Sequence, residues 1–145
     1  MSYLKKQPFI ENEIQRFKLR KQTSKIVSEF YKSNPFPNYK VDDDKISIVQ
    51  KGDKNVLAKQ FKKFVGFNKK ILEVGCGTGQ LSVYFATGNN NLVISLDTTL
   101  ESILVAKDFV KKNKIENIRF VNSDIFDDVL AENYFDFIWC NGVLH

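Results

Sequence analysis

The feature that most constrains this 145-residue chain is an apolar run, Ile71-Leu72-Glu73-Val74, leading straight into Gly75-Cys76-Gly77-Thr78-Gly79. A short apolar run of this kind suits a buried strand. Three glycines at alternate positions let the backbone reverse sharply and leave bare main chain for a ligand to lie against. Gln80 to Ala86 then reads as a helix, closed by Gly88-Asn89-Asn90-Asn91. Strand, glycine turn and helix in that order place free N–H groups and a positive dipole end beside the loop. Parallel strands need a crossover of this sort, so the rest of the chain has to supply further parallel strands.

It does. Leu92-Val93-Ile94-Ser95-Leu96 reads as a second buried strand ending at Asp97. Thr98 or Thr99 can cap a helix reaching about Asn113, with Ile103, Leu104, Ala106 and Val110 as its apolar stripe. Ile118-Arg119-Phe120-Val121 is a third strand followed by Ser123-Asp124, and a short helix is expected over Asp127 to Ala131. Phe135 to Cys140 is a fourth strand, before Asn141-Gly142. This alternation predicts an α/β fold, an open parallel sheet of about four strands with helices on both faces. Ligands in such sheets sit beyond the carboxyl ends of the strands. Gly75–Gly79, Asp97, Ser123-Asp124 and Asn141-Gly142 all fall at such ends, so they converge on one rim.

Residues 1–69 read as a helical lead-in. Ile14, Phe17, Ile26, Val27 and Phe30 recur at roughly helical spacing between Glu11 and Tyr31, and Asn55 to Phe67 reads as another helix. Between them lies a turn at 33–39 that holds Asn34-Pro35-Phe36-Pro37-Asn38-Tyr39, whose two prolines exclude a helix interior. Asp42-Asp43-Asp44 reads as a cap or loop. The net charge of +5 is split: residues 1–70 carry 17 Lys and Arg against 7 Asp and Glu, and residues 71–145 carry 5 against 10. The lysines are scattered and Arg is scarce, which favours solvated helix faces over a nucleic-acid surface.

The chemistry sits at the strand ends. A dinucleotide fingerprint would be G-x-G-x-x-G or -A, and here Gln80 stands at its sixth position. Glu73, just before the turn, suits a ligand with a cationic group better than one with two phosphates. Asp97, 18 residues beyond Gly79, can accept hydrogen bonds from two ribose hydroxyls and would repel a 2′-phosphate. Asp124 can accept from an adenine amino group. Cys76 has no base beside it and reads as a small filler in the turn.

Leu72 to Gly79 resembles the first motif of class I S-adenosylmethionine-dependent methyltransferases. Asp97 resembles the acidic tip of their second strand, Ser123-Asp124-Ile125 their adenine-side motif, and Phe135 to His145 their fourth-strand segment. The resemblance covers residues 71–145, and Asn34 to Tyr39 is similar to a lead-in of some uncharacterised bacterial members. It implies a Rossmann-like cofactor-binding domain over 70–145 and S-adenosyl-L-methionine as cofactor. It implies that Glu73, Gly75, Cys76, Gly77 and Gly79 line the methionine end, with Asp97 and Thr98 at the ribose and Asp124 and Ile125 at the adenine. Asn141 and Gly142 would then stand near the sulfonium methyl. His145, the only histidine, is the one candidate for a general base.

The family sheet has seven strands, so an N-terminal fragment ending after the fourth is expected, with that strand's open edge offering a route to a homo-oligomer. A small-molecule acceptor is expected, nucleic acid being disfavoured because Asn141-Gly142-Val143-Leu144 replaces an Asn/Asp-Pro-Pro-aromatic motif. An NAD-type oxidoreductase half-domain and a non-catalytic Rossmann-like interaction module are the alternatives. No segment has the ~20 apolar residues of a membrane helix. Cys76 and Cys140 make no metal spacing, and the charged N-terminus has no apolar signal core, so a cytoplasmic protein with reduced thiols and no bound metal is expected.

Overall fold

The computed structural model describes residues 2–143. Two short strands come first, β1 (Phe9–Glu11) and β2 (Ile14–Arg16). Asn12 and Glu13 join them with φ of 51° and 58°, the paired left-handed conformation of a tight hairpin turn. Three helices follow: α1 (Gln22–Lys32), α2 (Lys45–Lys54) and α3 (Val56–Val65). A capping box starts α2, in which Asp44 accepts the Ser47 N–H at 2.8 Å and the Asp44 N–H donates back to Ser47 Oγ at 3.0 Å. The Asn55 side chain caps α3 by accepting the Ala58 N–H at 3.1 Å.

The remaining elements alternate. They are β3 (Lys70–Val74), α4 (Gln80–Ala86), β4 (Leu92–Asp97), α5 (Leu100–Lys112), β5 (Ile118–Asn122) and β6 (Phe137–Cys140), with a 3-10 turn at Ile125–Asp127. All six strands share one sheet in the order β1-β2-β5-β4-β3-β6. Only the β1–β2 pair is antiparallel. Leu72 of β3 pairs with Ile94 on one side and Ile138 on the other.

Strand order decides which face each connection takes. The path β3-α4-β4-α5-β5 moves steadily in one direction, so right-handed crossovers put α4 and α5 on the same face. Ile71, Val93, Ile118 and Phe120 meet Val83, Phe85, Ile103, Ala106 and Phe109 there, with Ile48 and Ala58 of α2 and α3. The step from β5 back across the sheet to β6 runs the other way and crosses the opposite face. That face buries Leu72, Val74, Ile94, Leu96 and Val121 under Tyr3, Leu4, Phe17, Leu130 and Phe135.

The α/β sheet stands as expected, with four differences in detail. The sheet has six strands among the described residues, because the β1–β2 hairpin adds two beyond β5. The packed helices α2–α5 share one face, and the other is covered by irregular chain rather than by helix. The helix expected from Glu11 is a hairpin as far as Arg16, and α1 begins only at Gln22. Ile14 and Phe17 are three apart and contribute to opposite faces of the sheet, as strand alternation requires. Finally, Asp127–Ala131 is not a helix. The 3-10 turn ends at Asp127, Asp128 is left-handed with φ 50°, and Leu4 bridges Leu130.

Candidate functional site

The glycine loop leaves β3 and turns at once, because the Gly75 and Cys76 N–H groups both donate to the Leu96 carbonyl at 2.8 and 3.1 Å. This ties the loop to the end of β4. Gly77 has φ 53°, and its N–H donates to Asp97 Oδ2 at 2.8 Å. The other carboxylate oxygen, Oδ1, accepts the Thr99 N–H at 2.8 Å. Asp97 therefore holds the loop on one side and the start of α5 on the other. Its backbone carbonyl accepts the Ser123 N–H at 3.1 Å and the Asn122 side-chain N–H at 3.0 Å, which brings in the tip of β5. A Cβ on Gly75 would run into Val143, so the stretch after β6 lies against the same turn. Gly75–Gly79, Asp97, Ser123-Asp124 and Asn141-Gly142 thus form one continuous rim.

Within that rim the expected residues differ in access. Gly75, Asn141 and Gly142 are exposed, and Gly77, Asp97, Thr98 and Ile125 are half-buried. Cys76 and Gly79 are buried in the turn. Burial pushes the Cys76 thiol well above its usual range, helped by the nearby Asp97 and Glu73 carboxyls. That is the opposite of an activated nucleophile. Asp97 is also raised, first by burial, against the opposing pull of the backbone N–H groups of Thr99 and Gly77.

Glu73 points away from the open rim. It lies on the helical face of β3, 3% exposed, where the Ser82 hydroxyl of α4 donates to Oε2. Ser95 of β4 donates to Ser82 Oγ at 2.7 Å, closing a buried chain of three polar side chains between strand and helix. Burial lifts the Glu73 carboxyl to about 8, opposed by the Ser82 hydrogen bond and reinforced by Asp97. Glu73 thus underpins the glycine loop from the helical side of the sheet.

Asp124 is 5% exposed and is covered by α1. Its Oδ1 accepts the Phe126 N–H at 2.9 Å, and Oδ2 accepts the Ser24 hydroxyl. Ser24 was not a sequence candidate, since nothing near it in the chain resembles a site and the contact spans 100 residues. The Pro/aromatic segment at 33–39, already singled out in the sequence, packs against the glycine loop. Thr78 N–H donates to the Phe36 carbonyl at 3.2 Å, Thr78 Oγ1 to the Pro37 carbonyl, and Gln80 Nε2 to the Asn38 carbonyl at 3.0 Å. Tyr39 donates to the Thr78 carbonyl at 2.9 Å while its ring stacks on Phe109 at 4.1 Å. Gln80, the residue that departs from the dinucleotide fingerprint, thus braces the lead-in against the loop. The aromatic Phe36 is 67% exposed, and its main chain makes the contact.

His145 lies outside the described residues. Among the described residues no cluster of three His, Cys, Asp or Glu side chains could hold a metal ion, and no helix is long and apolar enough to cross a membrane.

Residues 67–145 match the model of a family described as a methyltransferase domain. A putative protein N5-glutamine methyltransferase of Methanocaldococcus jannaschii is 35% identical over 74 residues, 51% of this chain and 36% of that protein. Malonyl-[acyl-carrier protein] O-methyltransferase of Buchnera aphidicola is 31% identical over 98 residues, 68% of this chain and 36% of that protein. The chain therefore matches about a third of the length of each. Among solved structures, magnesium protoporphyrin IX methyltransferase from Synechocystis, crystallised with S-adenosylmethionine, superposes with a TM-score of 0.61 at 16% identity. The match covers 86% of this chain and 64% of the other, and it concerns the fold.

Proposed function

This chain belongs to the methyltransferase domain family, and from that premise we propose that it is the S-adenosylmethionine-binding portion of a class I methyltransferase with a Rossmann-like sheet. The acceptor in this proposal is a small molecule. The observation that carries the reading is Asp97. Its carboxylate bridges the glycine loop and α5 through one N–H on each oxygen. A carboxylate has about four acceptor positions, so beyond these two N–H groups Asp97 has capacity to accept from a ligand hydroxyl. Two parallel acceptors on one half-buried group suit a vicinal diol, and the cofactor's ribose presents one. The Asp97 acceptors at this rim fit the group.

When bound, the cofactor supplies a methyl group already activated on a sulfonium. The chain then has to bind, orient and exclude water. Gly75 and Gly77 let the loop turn with positive φ and pack closely on Val143 and the Phe36 carbonyl, where a Cβ would not fit. Asp97 orients the ribose, and the rigid ties from Asp97 to the loop and to β5 keep that orientation fixed relative to Asp124 and Ile125. Asn141 and Gly142 are exposed beyond β6, and in this reading they lie on the acceptor side of the methyl group. Glu73 supports the loop from beneath through Ser82 and Ser95.

Calorimetric titration with S-adenosylhomocysteine tests this, with NADH as comparator and Asp97→Ala as control. Saturable binding that the substitution weakens by about 1–3 kcal/mol is expected, the cost of leaving polar partners unpaired. Binding of NADH without S-adenosylhomocysteine would turn the reading toward an oxidoreductase half-domain.

A further inference from the structure

Helix α1 sits on the rim in a way that its sequence does not explain. Its apolar residues Ile26, Val27, Phe30 and Tyr31 are 61%, 48%, 71% and 40% exposed. An amphipathic helix ordinarily buries that stripe. Here the only buried residue of α1 is Ser24, and what Ser24 touches is Asp124. At the amino end Lys21 Nζ lies 3.4 Å from the centroid of the Phe126 ring, two residues beyond Asp124. Beneath the helix, a cleft of about 460 Å³ separates it from β2 and from the tips of β4 and β5, reaching Thr98 and Asn122. The chain leaving α1 is pinned to the glycine loop through Phe36, Pro37 and Asn38. The helix is thus fastened to the rim by its amino half, anchored beyond its carboxyl end, and undercut between.

We propose that α1 is a lid over the adenine side of the site, latched by the Ser24 hydroxyl on Asp124, and that the cofactor's adenine amino group binds Asp124 only when this latch opens. The inference rests on the cofactor reading given under Proposed function, with Asp124 on the adenine side as the sequence resemblance implies. The chemistry of the exchange balances: one O–H donor leaves Oδ2 and one N–H donor arrives. The carboxylate keeps its Phe126 N–H throughout. Closing the latch keeps a buried carboxylate satisfied while the site is empty, which leaving it bare would not. The consequence is a lowered apparent affinity, because only the open fraction accepts the ligand. The apolar stripe on the outside of α1 is mostly exposed, so its movement gives up little buried apolar area beyond the packing on α5.

The test is Ser24→Ala in the full chain, with Lys21→Ala as a second variant that loosens the same end without touching Asp124. Affinity for S-adenosylhomocysteine is read by calorimetry and α1 mobility by amide hydrogen exchange. S-inosylhomocysteine, which carries a carbonyl in place of the amino group, is the control ligand. Ser24→Ala is expected to bind S-adenosylhomocysteine about tenfold more tightly, the effect of removing a latch made by one charge-assisted hydrogen bond. Lys21→Ala should move the same way by less, and neither variant should gain affinity for S-inosylhomocysteine. In the wild-type chain, amides of α1 should exchange faster once S-adenosylhomocysteine is bound. Weaker binding by Ser24→Ala, or greater protection of α1 on binding, would overturn the latch while leaving the cofactor reading intact. Failure of every variant to bind S-adenosylhomocysteine would overturn the cofactor reading and the latch with it.

Discussion

Glu73 makes a prediction whose size can be worked from its surroundings. The carboxyl is 3% exposed, and burial lifts it from 4.5 to about 8. Below pH 4.5 the folded and unfolded chains both hold this proton. Between about 4.5 and 8 the folded chain holds it and the unfolded chain does not, so folding stability falls as pH rises through that window. Above about 8 both forms are ionised and the loss is complete. A separation of about 3.5 pH units, at about 1.36 kcal/mol each, sets an upper bound of about 5 kcal/mol. Glu73→Gln retains the shape and the acceptor for the Ser82 hydroxyl but cannot titrate. Urea denaturation of both proteins at intervals from pH 5 to 9 measures the difference. The variant should gain on the wild type by several kcal/mol across that range, with most of the change below pH 8. Asp97 is raised as well and repels Glu73, so the difference between the two proteins reports the Glu73 proton together with that repulsion. Stability curves that run parallel from pH 5 to 9 would refute the claim that Glu73 is buried and protonated.

Three substitutions probe how the rim and the helices behind it are held. Gly77→Ala places a methyl against the Phe36 carbonyl at a residue with φ 53°, and should cost about 2–3 kcal/mol from left-handed strain and displacement of the lead-in, read as a lowered Tm. Tyr39→Phe loses the 2.9 Å hydrogen bond to Thr78 but keeps the stacking on Phe109, and should cost about 1 kcal/mol in the same assay. Gly52→Ala, in the interior of α2, would ordinarily add about 1 kcal/mol of helix stability. Its Cβ would instead strike the Tyr84 ring, so a net loss of about 1–3 kcal/mol is expected in denaturant unfolding.

What could be read from the sequence follows from the range of the interactions. The stretch from Ile71 to Asn122 is legible because strand, glycine turn and helix are local patterns, and α4 runs over the residues expected, Gln80–Ala86. The four strand tips converge because parallel topology forces them onto one edge. The lead-in was less legible. Ile14 and Phe17 have a spacing that suits one turn of helix, and only pairing of β2 with the edge of β5 makes a strand there the better state. The helix α2 was missed because its stripe is thin, although Asp44 and Ser47 carry the capping-box spacing in full view. Ser24, Ser82 and Ser95 gave no signal at all. Each matters for the partner that folding brings to it, Asp124 for the first and Glu73 for the other two through Ser82.

The central claim is that one ligand lies across all four strand tips, and an amide NMR titration of the chain with S-adenosylhomocysteine tests it most directly. Saturable shift changes at Gly75, Gly77 and Gly79, at Asp97 and Thr98, at Asp124 and Ile125, and at Asn141 and Gly142 are predicted together, at one common dissociation constant. Changes confined to the groove between α3 and β6, around Leu57 and Phe64, or the absence of any change in a folded sample at saturating ligand, would contradict it.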